Sequence, residues 1–256
     1  IYKLVIADSD GFNPQVLVEQ EYNPIATPTF SPDKKQIAYV SYVKNTMAIY
    51  TIELSTGKRK IIANFPGINS APSFSPDGKI IAMGLSDKKD KSKVDLYLYN
   101  IKNKKFTRLT RVGTNTSPKF SQDGKNLLFT SNRSGGVQIY KMNLASKRVS
   151  QITDIKQGVQ NFDAQFLPDN KRVVMMNQME SGGAIRIVVL NLLNKKMEII
   201  SAGPTDKSPI LSSNGQMVLY INLSEAGSKL MVSSIDSRAS YELPEQNGVI
   251  RSPAWI

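Results

Sequence analysis

The sequence predicts an all-β fold: a six-bladed β-propeller of four-stranded antiparallel blades, spanning residues 1–256 as one domain. Three observations predict it. A strand-and-turn unit recurs at a fixed period, each repeat holds four short strand patterns, and no stretch sustains helical periodicity.

The recurring unit is clearest from Ala71 to Lys79, Ala-Pro-Ser-Phe-Ser-Pro-Asp-Gly-Lys. It reads as a short buried strand anchored by Phe74 and closed by a tight polar turn. Pro76 presets φ, and Asp77 and Gly78 tolerate the positive φ that a hairpin needs. Aligned on the large apolar residue, the copies fall at Phe30, Phe74, Phe120, Phe166, Leu211 and Trp255, at steps of 44, 46, 46, 45 and 44 residues. A Pro stands two places earlier as Pro28, Pro72, Pro118, Pro209 and Pro253, with Ala164 as the exception. Periods of this length mark propellers, solenoids or arrays.

Within the second repeat, Lys79–Ser86 is nearly all apolar and reads as a strand buried on both faces. A charged loop, Asp87–Lys93, leads to a third strand at Val94–Ile101, and Phe106–Thr110 is a short fourth. Four antiparallel strands in about 45 residues make one propeller blade. Second strands are expected again at Gln36–Ser41, Asn126–Ser131, Arg172–Asn177 and Met217–Ile221. Third strands are expected at Ala48–Leu54, Val137–Leu144, Ile185–Asn191 and Lys229–Ile235. A fourth strand with an exposed edge in each repeat favours radial closure over solenoid stacking. At the ends, Tyr2–Ser9 matches a third strand and Gln15–Glu19 a fourth, so both are expected to join Ser252–Ile256 in one blade and close the ring. That blade's second strand is expected upstream of Ile1, which reads as the start of a mature product or fragment.

Composition narrows the chemistry. With no cysteine and no histidine, disulfides, thiolate catalysis and His-dependent triads are excluded, and the commonest metal ligand is missing. No nucleophile elbow or phosphate-binding glycine loop occurs; Ser134-Gly135-Gly136 and Ser181-Gly182-Gly183 read as tight turns. Asp33, Asp77, Asp123 and Asp169 recur in register, but in hairpin turns where Asp bonds its own backbone. No catalytic residue, metal site or cofactor is therefore assigned. The net charge of +12 gathers at Lys58-Arg59-Lys60, Lys102, Lys104-Lys105, Lys147-Arg148 and Lys195-Lys196, always in the last hairpin of a repeat. Lysine on an outer strand blocks edge-to-edge pairing, so the charge does not imply nucleic acid. No apolar run approaches the length of a membrane span.

Loops leading into the innermost strands ring one mouth of the predicted channel: Tyr22–Thr27, Pro66–Ala71, Val112–Ser117, Gly158–Asp163, Pro204–Ser208 and Asn247–Ser252. They are rich in Asn, Thr, Ser and Asp, with isolated charges at Asp163, Asp206, Lys207 and Arg251. This suits hydrogen bonding to a protein or peptide better than an apolar ligand.

The repeated Ser-Pro-x-Phe-Ser-Pro-Asp-Gly-Lys resembles the propeller of the TolB family of the Tol-Pal system, as do the opening Tyr-Lys-Leu-Val-Ile-Ala-Asp-Ser-Asp-Gly, the segment Ala63–Pro72 and the terminal Ser-Pro-Ala-Trp. The resemblance implies a non-enzymatic, monomeric periplasmic adaptor whose propeller binds the peptidoglycan-associated lipoprotein Pal across the channel mouth. It also implies bacteriocins as ligands of the same surface, and a part in outer-membrane integrity and constriction at division. The resemblance further implies an α/β domain upstream of the propeller and an N-terminal segment that contacts TolA, both expected to lie before Ile1. Carried over by position, the family's Pal-contacting loops fall on Ile68, Asn69, Ala71, Asn115 and Thr116. The family can carry an imidazole where this chain has Ile68, which implies an apolar contact in place of a polar one. Loop position alone adds Thr114, Gln160, Asn161, Asp163, Lys207 and Arg251. Two rivals from other classes stand beside this reading. A serine-peptidase gating propeller would continue downstream into a hydrolase with an elbow motif. A sialidase-like enzyme would need an arginine cluster at one mouth, where only Arg251 stands.

Overall fold

The computed structural model describes residues 1–87, 89–154, 158–179, 182–225, 227–244 and 248–255. Among them every regular element is a strand, so none forms a helix that crosses a membrane. The chain opens with a two-stranded antiparallel sheet, β1 (Tyr2–Ile6) on β2 (Gln15–Gln20). Five four-stranded meanders follow in chain order. The first joins β3 (Ala26–Phe30), β4 (Gln36–Val43), β5 (Thr46–Glu53) and β6 (Arg59–Ala63). The second joins β7 (Asn69–Phe74), β8 (Ile80–Ser86), β9 (Val94–Asn100) and β10 (Phe106–Arg108). The third comprises β11 (Asn115–Phe120), β12 (Asn126–Ser131), β13 (Gln138–Asn143) and β14 (Val149–Gln151). The fourth comprises β15 (Gln160–Phe166), β16 (Arg172–Gln178), β17 (Ile185–Asn191) and β18 (Met197–Ile199). The fifth comprises β19 (Thr205–Leu211), β20 (Met217–Ser224), β21 (Gly227–Ser234) and β22 (Ser240–Glu242). One parallel pairing, Ile185 with Thr205, bridges the last two.

Successive sheets pack face to face, which is how a half-apolar strand hides both surfaces. Ala38, Val40 and Ile49 of the first meander meet Phe74, Ile81 and Met83 of the second. Leu96 then meets Phe129 and Tyr140, Leu128 and Ile139 meet Val173 and Met175, and Val174 and Ile187 meet Val218 and Tyr220. The second strands are the most buried, as their unbroken apolar runs predict; Ile81, Ala82, Met83 and Leu85 of β8 are all at 0% exposure. At the start, Leu4 and Val18 of the two-stranded sheet pack on Ile37 and Tyr39.

The expected strand at Ser252–Ile256 is not formed: residues 251–255 carry no strand pairing, and Ile256 lies outside the described residues. Side chains make the contacts instead. Trp255 packs beside Leu219, Val232 and Leu243 on the last meander, and the Arg251 guanidinium lies 5.4 Å from the centre of the Tyr2 ring. The C-terminal segment thus touches both the first and the last sheet.

Each first-to-second-strand turn is built by its own side chains. Ser75 Oγ donates to Asp77 Oδ1 at 2.7 Å, while Lys79 N donates to the same oxygen and Ile80 N to Ser75 Oγ. Ser31 with Asp33, Ser121 with Asp123 and Ser212 with Asn214 repeat the arrangement. Asp169 lacks the serine and bonds Lys171 N and Arg172 instead. The recurring aspartates therefore spend their oxygens on the turn, as their place in it predicts.

Candidate mouth surface

Because each sheet is a meander, its first strand starts on the side where its second strand hands over to the third. Hydrogen bonds tie these two levels together. Ile68 N donates to Ser86 Oγ at 2.8 Å, Thr114 N to Asn132 Oδ1 at 2.7 Å, and Lys93 Nζ to Arg111 O at 2.7 Å. Glycine permits the approach: a Cβ on Gly67 would lie 2.8 Å from Ser86 Oγ, and one on Gly113 would lie 2.8 Å from Asn132 Oδ1. Both positions also hold positive φ, +96° and +69°.

The expected loop surface begins one step inside the sheets. Residues 69–71, 115–117, 160–163 and 205–208 are strand rather than loop, and each innermost strand then breaks register. The breaks fall between Ala26 and Thr29, Ser70 and Ser73, Thr116 and Lys119, Phe162 and Gln165, and Lys207 and Ile210. At each one a non-glycine residue takes the left-handed conformation: Thr27, Ala71, Ser117, Asp163 and Ser208, with φ from 46° to 56°. Such a conformation costs about 1–3 kcal/mol and collects at functional sites. The bulge sits at one phase of the repeat, so the first turn of chain below the mouth is re-aimed identically in every meander.

Two residues above four of the five bulges a buried amide or carboxylate locks the approach, and above the first stands Ile25, which is buried and apolar. Asn69, Asn115 and Asp206 are at 0% exposure, and Asn161 is at 2%. Asn69 Oδ1 accepts from Phe65 N at 2.9 Å, and its Nδ2 donates to Phe65 O, Met47 O and Gly67 O. Asn115 Nδ2 donates to Val112 O and Gly113 O, and its Oδ1 accepts from Arg133 Nη2 at 2.8 Å. Asn161 bridges Gln138 and Asn177, and Asp206 bridges Gly203 N and Asn222. Asn69, Asn115 and Asn161, expected as contact residues, are thus inward-facing braces: the first two hold loop carbonyls and Asn161 holds the side-chain amides of Gln138 and Asn177.

The remaining expected residues stand toward the mouth. Ile68, Ala71, Thr114, Thr116, Gln160, Asp163 and Lys207 are partly exposed, and Arg251 is exposed. Around them the loops add exposed apolar groups at Tyr22, Val112, Met179 and Val249. Asn247, expected in the last loop, lies outside the described residues.

Sequence reasoning missed the scaffold behind the third loop. Asp95, wholly buried, pairs with Arg108 and accepts from Thr110 Oγ1 at 2.9 Å; Arg108 also reaches Asp87 at 3.0 Å. Arg133 lies over the Phe129 and Tyr140 rings at 5.0 and 4.9 Å while holding Asn115, and its burial pulls its pKa below the ordinary arginine value. The one sequence signal for this network was the Gly-x-Asn spacing shared by 67–69 and 113–115. Nothing in that spacing names the distant partners.

The whole chain, residues 1–256, matches the family described as the TolB beta propeller domain. The Tol-Pal system protein TolB of Francisella tularensis subsp. holarctica (strain OSU18) is 40% identical over 259 residues, covering 100% of this chain and 59% of that protein. The chain therefore spans under two thirds of that relative's length. The crystal structure of TolB from Acinetobacter baumannii superposes with a TM-score of 0.89 at 33% identity, covering 99% of this chain and 62% of that one. A puromycin-hydrolysing peptidase of Mycobacterium tuberculosis shares the fold alone, with a TM-score of 0.67 at 13% identity over 94% of this chain and 41% of that one. The chain belongs to the TolB family of the Tol-Pal system, matching its propeller domain.

Proposed function

We propose that this chain is the partner-binding propeller of a periplasmic, non-enzymatic Tol-Pal adaptor, and that its mouth docks the lipoprotein Pal. In this reading residues 1–256 form one six-bladed domain, closed where the Arg251–Trp255 segment meets Tyr2, and act as a monomer. The activity serves outer-membrane integrity and constriction at division, and bacteriocins compete for the same surface. The observation that carries the reading is the series of bulges, one per meander, each strained at the same phase beneath half-exposed polar and apolar side chains. Protein interfaces have this mixed character, with apolar anchors such as Ile68 and Val112 among hydrogen-bonding groups such as Thr114, Thr116 and Gln160. Burial of Asn69, Asn115 and Asn161 fits preorganisation, since loops already braced lose less entropy on docking.

The test is capture of purified Pal by this chain and by Ala71→Arg and Thr116→Arg, with circular dichroism as the folding control. Both variants place a long cation in the mouth and are expected to lose capture while keeping the wild-type spectrum. Undiminished capture by both folded variants overturns the docking surface.

A further inference from the structure

The channel has a second feature, at the end away from the mouth. A cavity of about 340 Å³ opens among the Ser-Pro-Asp-Gly turns, walled by Phe74, Phe120, Phe166 and Leu211. Its polar lining comes from Ser73, Lys119, Gln122 and Gln165 with turn serines, and no carboxylate lines it. The volume equals about ten water molecules at roughly 30 Å³ each, enough for a small multiply oxygenated organic anion.

Lys119 is the anomaly. It stands one residue before the apolar anchor, where the other meanders carry Thr29, Ser73, Gln165 and Ile210. Its side chain has no hydrogen bond or ion pair with any other described residue, although the remaining charged groups nearby are used in turns. The Asp163 carboxylate acts on it only through space. Burial lowers its pKa from the ordinary lysine value, and Asp163 offsets only part of that pull. An ammonium half-buried beside this cavity, with only the through-space pull of Asp163 and no direct hydrogen bond or ion pair, loses part of its hydration without full compensation. The threonine and serine of the first two meanders avoid that cost.

We propose that this end of the channel is an anion site, in which the Lys119 ammonium meets a carboxylate or phosphate group of a small ligand. Ser73 Oγ and the Gln122 side-chain amide add to the polar lining available to it, while the phenyl rings lower the local polarity and strengthen the charge pairing. Gln165 is held in place by donating from Nε2 to Pro209 O, which leaves its Oε1 to accept from a ligand hydroxyl. The site is separate from the mouth surface and does not rest on Pal docking.

The experiment is isothermal titration and thermal melting of the chain alone with inorganic phosphate, citrate, and glycerol as the uncharged control, at constant ionic strength. Saturable binding and a rising Tm with phosphate or citrate, but not glycerol, are expected; the anion that acts identifies the group recognised. Lys119→Met is expected to lose at least about tenfold in affinity, and to melt no lower than wild type without anion because a half-buried charge with no direct partner is gone. Lys119→Arg keeps the charge and is expected to retain part of the response. If neither anion binds saturably at millimolar concentration, or Lys119→Met or the fallback Lys119→Gln binds as wild type does, the assignment is overturned.

Discussion

Gly124 and Gly215 occupy the same position of the same turn, with φ of +68° and +67°, yet face different neighbours. A Cβ on Gly124 would lie 3.7 Å from Pro76 Cδ, an ordinary contact, whereas one on Gly215 would lie 2.2 Å from Pro168 Cδ and 2.5 Å from its Cγ. The proline belongs to the preceding meander's turn, so successive turns approach one another at these positions. Substituting alanine forces a left-handed alanine at either site, costing about 1–2 kcal/mol. At Gly215 the added methyl must also displace a rigid ring, for roughly another 1–3 kcal/mol of overpacking. Gly57→Ala is a third arm, with φ +67° and nothing within 4 Å of the added carbon. The difference between Gly215→Ala and the two controls isolates that approach, because the backbone cost cancels. For a chain of this size each kcal/mol shifts Tm by roughly 2–4 °C, so Gly215→Ala is expected to melt at least about 2 °C below both others. Equal melting temperatures and equal urea midpoints for all three variants would refute the idea that neighbouring turns are wedged together there.

Two further outcomes follow from charges. Arg108→Met strips the buried Asp95 of its main partner and is expected to cost about 3 kcal/mol, read as a lower urea midpoint; Arg108→Met/Asp95→Leu is expected to recover much of that, and no recovery would mean the arginine acts through packing. Serine hydroxyls, then backbone amides, hold the Asp33, Asp77 and Asp123 carboxyls below the ordinary aspartate value, so the stability they add is complete above about pH 4 and is lost as pH falls through the lowered values. Asn214 makes the same bonds without titrating, so Asp77→Asn is expected to fold normally at neutral pH and to shift acid unfolding slightly to lower pH; an unchanged acid midpoint would count against the turn carboxyls.

Periodicity made the sheets legible because it acts along the chain. The apolar run at Ile80–Leu85 and the Ser-x-Asp turns are local, and both are where local chemistry puts them. Position within the repeat also marks Lys119 as the odd residue of its layer, a signal present in the sequence that alignment on the aromatic alone passes over. What could not be read was set by neighbours distant in sequence. Asn69 and Asn115 have the composition of a polar contact loop, but whether such a side chain faces out or in depends on carbonyls such as Met47 O and on Arg133. The bulges were hidden for a related reason: Thr27, Ala71, Ser117, Asp163 and Ser208 share no residue type that announces positive φ. Strain at a fixed phase of varied sequence is imposed by tertiary packing, not by local preference. A surface whose backbone is shaped by packing between successive meanders can vary its side chains without losing its form. In the proposed docking, that separates the frame, which Asn69 and Asn115 hold, from the contacts, which would come from Ile68, Thr114 and Thr116.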